Sequence, residues 1–306
     1  MPGFRTLKRR QSARIHVHDA LTGEDTVVYE SRDVLFEAPN WAVSGDALLL
    51  NGDGVLWSLA SVPLAEPVRI EHESLPEINN DHVLDPDGEH IYLSATDGHI
   101  YQAPVAGGAA SRVTADEGVW HFLHGVSPDG SRLAYVRMAS FEKPGRLAVI
   151  PTGGGETTLV DTGEGHIDGP EWSPDGSWLY FNTERWASEP GQAQLARVPD
   201  GGGEVERLIT SGTVDWFPHL SPDGASLVYL EFPAGTEGHP PDQDVALVVI
   251  DPTDWTTPRE RFRLLGGQGT INVNSWAPDS RRFAYVSYPI ESQAVLERDS
   301  ANLPVL

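Results

Sequence analysis

The sequence predicts an all-β protein, a six-bladed β-propeller of four-stranded blades whose ring is closed by N-terminal strands completing the last blade. Three observations carry this. A turn signal of the Ser-Pro-Asp-Gly kind recurs at a period in the forties, short strand-length runs follow every copy, and almost nothing reads as a long amphipathic helix. The copies are EAPNWAVSGD (37–46), NDHVLDPDGE (80–89), FLHGVSPDGS (122–131), DGPEWSPDGS (168–177), WFPHLSPDGA (216–225) and NVNSWAPDSR (272–281). The turn-aspartate position falls at Ser44, Asp87, Asp129, Asp175, Asp223 and Asp279, so the steps are 43, 42, 46, 48 and 56 residues.

Within each copy proline presets φ, aspartate bonds nearby backbone N–H groups, and glycine supplies a positive φ, so these aspartates read as turn formers rather than as a carboxylate cluster. An apolar, β-branched or aromatic run follows: ALLLN, HIYLS, RLAYV, WLYFN, SLVYL, RFAYV. A third run (VLWSL, HIYQA, RLAVI, QLARV, VALVVI) and a fourth (PVRIE, SRVTA, TTLVD, VERLI, RFRLL) complete the unit, with Gly-rich hairpin turns such as AGG, TGGG and DGGG between them. The sixth copy supplies only two strands. The spare runs ARIHVHD and DTVVYES, joined by ALTGE, match third and fourth strands and would seal the ring, removing exposed sheet edges. The expected organisation is one domain over 1–306. Strands within 12–32 complete blade 6, blades 1–5 occupy about 36–266, the inner strands of blade 6 lie in about 270–290, and 291–306 is a tail. Trp41, Trp172 and Trp276 share one repeat position and read as inter-blade packing.

Composition narrows the partners. The chain has 306 residues, 39% of them hydrophobic, enough for a large core. Lys plus Arg is 21 against 45 Asp plus Glu, a net charge of −24, which repels phosphate backbones and anionic bilayers, so neither a nucleic acid nor a membrane surface is expected. Having no cysteine excludes disulfides, zinc-thiolate sites and thiol nucleophiles. No apolar run approaches the roughly 18 residues of a membrane span. The opening MPGFRTLKRRQSARIHVHD has basic residues but no apolar h-region, so the expected compartment is the cytoplasm.

Aligning the copies isolates what varies. Five residues before the turn serine stand Glu37, Asn80, Phe122, Asp168, Trp216 and Asn272; three before it, where proline is the default, stand His82 and His124; two before it the fifth blade carries His219. In a propeller the innermost strand of each blade begins at the channel mouth, so these side chains should converge on one funnel. The loop 234–244 opens on the same face with His239, and GGQGT (266–270) brings Gln268. Asp81, Asp215 and Trp120 sit in the same linking stretches. Each histidine alone reads as a hydrogen-bonded strand residue, and a polar channel can simply hold water. Convergence from separate blades is what favours a binding funnel.

Repeats of the form P-x-W-S-P-D-G followed by an apolar strand resemble the PD40 repeat of TolB-like propellers, over nearly the whole chain. FEAPNW, NNDH, DGPEWSPDG, DWFPH and GGQGT look like those of a group of TolB-like six-bladed propellers. TolB itself carries an α/β domain and a secretion signal before its propeller; neither is read here, so the resemblance implies the propeller without the envelope role.

The expected function is binding of a small polar, carbohydrate-derived ligand such as a sugar acid, with metal-assisted lyase or hydrolase chemistry. His124, His219 and Asp168 are the expected catalytic groups. His82, His124, His219 and Gln268 are expected to hold a divalent metal, Mn, Zn or Ca. Glu37, Asn80, Asp81, Trp120, Asp215, Trp216, His239 and Asn272 are expected to line the ligand site. Propeller oligogalacturonate lyases, which use histidines, a glutamine and manganese, are an analogy at the level of fold. One alternative is a non-catalytic TolB-like scaffold holding a protein partner. Another is a calcium-dependent lactonase using Glu37, Asn80 and Asp168. No G-x-S-x-G elbow, HExxH or P-loop is present.

Overall fold

The computed structural model describes residues 4–62 and 64–291. It is a six-bladed propeller. Blades 1 to 5 are antiparallel four-stranded sheets whose innermost strands are Glu37–Trp41, Ile78–Leu84, Trp120–Val126, Ile167–Trp172 and Val214–Leu220. The outermost strands of blades 2, 3 and 4 shrink to two residues (Ser111–Arg112, Thr158–Leu159, Glu206–Arg207), shorter than the sequence predicts, because they lie on the exposed rim and bury little. A small parallel pairing of His72–Glu73 with Gly108–Ala109 links blades 1 and 2.

Ring closure follows the expected route. Ala13–Asp19 pairs antiparallel with Arg282–Ser287 on one side and with Glu24–Ser31 on the other, so the first strands in sequence complete the last sheet. Blade 6 departs from expectation at its inner edge. The stretch Asn272–Trp276 is an irregular segment rather than a strand, touching its neighbour through a bridge between Trp276 and Phe283. Local side-chain bonds compete with the ladder here: Gly269 N–H donates to Asn272 Oδ1 (2.7 Å) and Trp276 N–H to Asn274 Oδ1 (2.9 Å). Of the predicted tail, all but Glu291 lies outside the described residues.

The turn aspartates are turn formers. Asp129, Asp175 and Asp223 each accept from the preceding serine hydroxyl at 2.6 Å and from the backbone N–H two residues on at 3.0 Å. The glycines beside them have φ of 70, 72 and 69°. The repeat tryptophans pack between blades. Arg132 of blade 3 lies over the ring of Trp172 (5.2 Å) and forks onto Asp200 of blade 4, which also accepts from Trp172 Nε1.

The innermost strands share one irregularity. In blades 1 to 5 the pairing register slips at the same place, between Glu37 and Asn40, Ile78 and His82, Leu123 and Gly125, Asp168 and Glu171, and Trp216 and His219. Three of these bulges carry a positive φ: Ala38 (48°), Gly169 (60°) and Phe217 (57°). A bulge kinks the strand and re-aims its side chains, and here it does so at the channel-facing end of each blade.

Gly169 has no room for a side chain, since a Cβ there would meet the Phe217 ring at 3.0 Å and Asn182 Oδ1 at 3.3 Å. Gly169→Ala is therefore expected to cost about 2–3 kcal/mol, while Gly224→Ala, at a turn with its nearest neighbour 3.9 Å away, costs about 1. Urea midpoints of the two variants would check the ranking; equal losses would mean that the bulge is not tightly packed.

Candidate functional site

The inner strands run between two mouths of one axial channel. Their starts line a funnel of about 330 Å³. Their ends, with the turn prolines Pro86, Pro128, Pro174, Pro222 and Pro278, line an opposite mouth of about 440 Å³. His124 lines both, so its ring stands in the partition. Phe217 lies between two imidazoles there, its ring 5.8 Å from His124 and 6.5 Å from His219. Its positive φ at the bulge turns it to this position.

One half of the funnel is an acid–imidazole cluster. His124 Nδ1–H donates to Asn272 O (3.0 Å), and its Nε2 sits 2.9 Å from Asp168 Oδ1. The other Asp168 oxygen faces His239 Nε2 at 3.4 Å and His166 Nε2 at 3.8 Å. Burial opposes charge on His124, but Asp81 and Asp168 outweigh it and raise its pKa to about 9, so it is a cation at neutral pH. Burial likewise opposes the Asp168 carboxylate, yet His124 beside it holds its pKa well below the usual range. Asp81, buried and near Asp168, is pushed up.

The other half is an acid held by an arginine. Arg5 Nη1 donates to Glu37 Oε1 (2.7 Å) and to Gln268 O (2.5 Å). Asn51 Nδ2 reaches the second Glu37 oxygen (3.3 Å), and Gln268 Nε2 donates to Asn80 Oδ1 (3.1 Å). Burial raises the Glu37 pKa to about 7 even against Arg5. Between and above the halves lie apolar groups, Phe4, Phe122, Met138 and Phe141, the last 62% exposed.

Of the residues singled out from sequence, Glu37, Asn80, Asp81, His124, Asp168, His239, Gln268 and Asn272 do line the funnel. Trp120 stands just outside, packed on Phe141 (5.4 Å between ring centroids). The rest are placed elsewhere. Trp216 is buried behind the imidazoles, 4.7 Å from the His239 ring and 6.2 Å from the His166 ring. Asp215 is buried among Ser211, Thr213 and Gln194, where it ties a link together. His219 lies beneath the funnel, with Glu171 Oε2 2.7 Å from Nδ1 and Nε2–H donating to Ile271 O (2.6 Å). His82 is buried between blades with neither ring nitrogen partnered, and burial lowers its pKa to about 4.

The four residues expected to share a metal are thus divided, with His124 and Gln268 in the funnel and His82 and His219 outside it. Among the described residues no group of three His, Asp or Glu side chains has metal-holding geometry. The donor chemistry agrees. His166 Nδ1 accepts from Gly145 N–H (2.8 Å), which leaves the proton on Nε2, and His124 Nε2 is committed to Asp168.

Several contributors were not legible in the sequence, among them His166, Arg5 and Asn51. His166 lies two residues before Asp168, just outside the aligned copies. Arg5 lies in a segment that belongs to no repeat, so no alignment could place it.

The comparisons agree on fold. The chain is 37% identical over 284 residues to an uncharacterized protein of Agrobacterium fabrum, covering 90% of this chain and 93% of that one. A solved structure from Agrobacterium tumefaciens, provisionally designated TolB, superposes with a TM-score of 0.83 at 36% identity, over 91% of this chain and 99% of that one. An oligogalacturonate lyase in complex with manganese superposes with a TM-score of 0.54 at 14% identity, over 88% and 77%, which is a likeness of fold alone. No family model matches the chain.

The His124 shift sets a pH dependence. In the unfolded chain this imidazole has the ordinary value of 6.5; in the folded chain it is raised to about 9. Its stabilisation is complete below about 6.5 and is lost as pH rises through about 9, because between the two the native state holds a proton that the unfolded state has released. His124→Gln is expected to be roughly 1–3 kcal/mol less stable than wild type at pH 6.5 and close to it at pH 9.5. Urea titrations at the two pH values check this; a difference that does not shrink with pH would mean that His124 is not a cation in the fold.

Proposed function

Given that the chain belongs to the TolB-like six-bladed propeller family, we propose that it is a non-catalytic binding module that holds a protein partner at its funnel mouth. The observation that carries this is a floor of ionisable groups satisfied by one another beneath an exposed apolar rim. His124 is bonded at both nitrogens, Asp168 is shared by imidazoles, and His166 Nδ1 is taken by the backbone. A general base or nucleophile needs a free lone pair directed at substrate; those of His124, Asp168 and His166 are directed at neighbours, and His239 Nδ1, which has no partner, is itself buried. Phe141, with Phe4, Phe122 and Met138, offers the aromatic and methionine surface that protein interfaces favour. The net charge of −24 selects a basic partner.

A second reading, a small polar ligand such as a sugar acid, is favoured by the funnel volume of about 330 Å³, which suits a small molecule. A divalent metal would belong to that reading.

The readings separate in one experiment. A photo-crosslinking phenylalanine analogue is placed at Phe141 and, as control, at Val43 by the opposite mouth, in cells of the source organism. The expected result is a discrete adduct from position 141, weakened at least about tenfold by Asp168→Asn, and none from 43. No adduct at 141, together with a thermal shift from a sugar acid or a divalent metal, would replace this proposal with the second reading.

A further inference from the structure

Residues 4–12 precede the first strand and belong to no blade, yet they deliver Phe4 and Arg5 into the funnel. Among the described residues no backbone hydrogen bond ties residues 4–7 to the propeller. Their hold is by side chains: Leu7 packs against the blade 1 and blade 6 core, and the next residue, Lys8, pairs with Asp242 (2.6 Å).

What surrounds Arg5 suits a guanidinium. Glu37 supplies a buried carboxylate, Gln268 a carbonyl, and Tyr288 an aromatic face 5.1 Å from the guanidinium carbon. The Tyr288 hydroxyl is anchored on Phe36 O (3.0 Å), which fixes the ring. Gly269 is required for this closeness, because a Cβ there would come within 2.5 Å of both Glu37 Oε1 and Tyr288 Oη. A flat, weakly hydrated cation that lies over Tyr288 while one of its nitrogens donates to both Glu37 and Gln268 suits such a cage; a compact, strongly hydrated ammonium suits it less.

Two further atoms at the cage lack partners. Asn51, whose amide reaches Glu37, keeps its Oδ1 unpartnered, and Asn80, whose Oδ1 accepts from Gln268, keeps its Nδ2 unpartnered. Both residues are more than nine-tenths buried and line the funnel. An unpartnered acceptor and an unpartnered donor beside a guanidinium cage fit an arginine within a peptide, which brings extra N–H donors and a backbone carbonyl. Buried polar groups left open in this way point to a ligand that completes them.

We propose that the Glu37–Gln268–Tyr288 cage is a recognition site for an arginine side chain of the partner, and that Arg5 is an internal occupant which that side chain displaces. This rests on the partner-binding reading above and adds the chemistry of the inserted residue. The internal arginine competes at the high effective concentration of a tethered group, so an outside guanidinium sees only the fraction of molecules in which residues 4–7 have lifted from the funnel.

The test uses the full chain and agmatine, a free guanidinium compound, with 1,5-diaminopentane as the ammonium control. Arg5→Ala is expected to bind agmatine at least about tenfold more tightly than wild type by calorimetry and to gain melting temperature from it. The diamine is expected to do neither, and Glu37→Gln added to Arg5→Ala is expected to abolish the response. Should Arg5→Ala fail to fold, Arg5→Gln serves in its place. Equal agmatine binding by wild type and variant, or equal binding of the diamine, overturns the proposal. The Phe141 adduct is read in the same proteins. An adduct without an agmatine response rejects the cage and leaves partner binding standing; an agmatine response without an adduct does the reverse.

Discussion

Closure of the ring is the constraint on which everything else depends. Six twisted sheets arranged about an axis leave two open edges unless the last sheet is completed by strands from the other end of the chain. Ala13–Asp19 meets that demand by pairing on both sides. The pairing sets the ring and brings the inner strands of distant repeats to a common channel. It also fixes where the preceding segment emerges. Arg14 lies opposite Ser287, one residue from Tyr288, so the chain leading into the closing strand passes the funnel mouth. Arg5 reaches Glu37 as a consequence of how the ring is sealed.

The second determinant is the break in each inner ladder. A regular strand would alternate its side chains between neighbouring blades and show the channel only its edge. The bulges at a common position turn Asp168, Phe217 and Glu37 out of that alternation. Non-glycine residues at positive φ cost of order 1 kcal/mol or more each. At Ala38 and Phe217 the freed backbone N–H groups are matched by Gly269 O (2.7 Å) and Asn182 Oδ1 (3.2 Å). Buried ionisable groups then meet in pairs of opposite sign, and that pairing makes burial tolerable. The same mutual satisfaction that stabilises the funnel floor ties up the lone pairs of His124, His166 and Asp168, which is why its geometry favours holding a partner over transforming a substrate. The aromatic and methionine side chains above the floor are spared such pairing and remain open for contact.

The sequence by itself determined the fold. The spacing of the Ser-Pro-Asp-Gly turns, the length of the runs after them and the spare N-terminal strands are local chemistry repeated, and local chemistry is legible in one dimension. It also determined much of the funnel lining, because Glu37, Asn80, Asp168 and Asn272 break the repeat at one column. It could not say which way a side chain points. His82, His124 and His219 look alike in sequence, yet His82 is buried between blades, His219 sits beneath the funnel against Glu171, and only His124 faces it. That choice is made by the bulge, whose register shift depends on how each inner strand packs on its neighbours. Arg5, His166 and Asn51 enter the site through contacts between residues distant in sequence, fixed only when the ring closes.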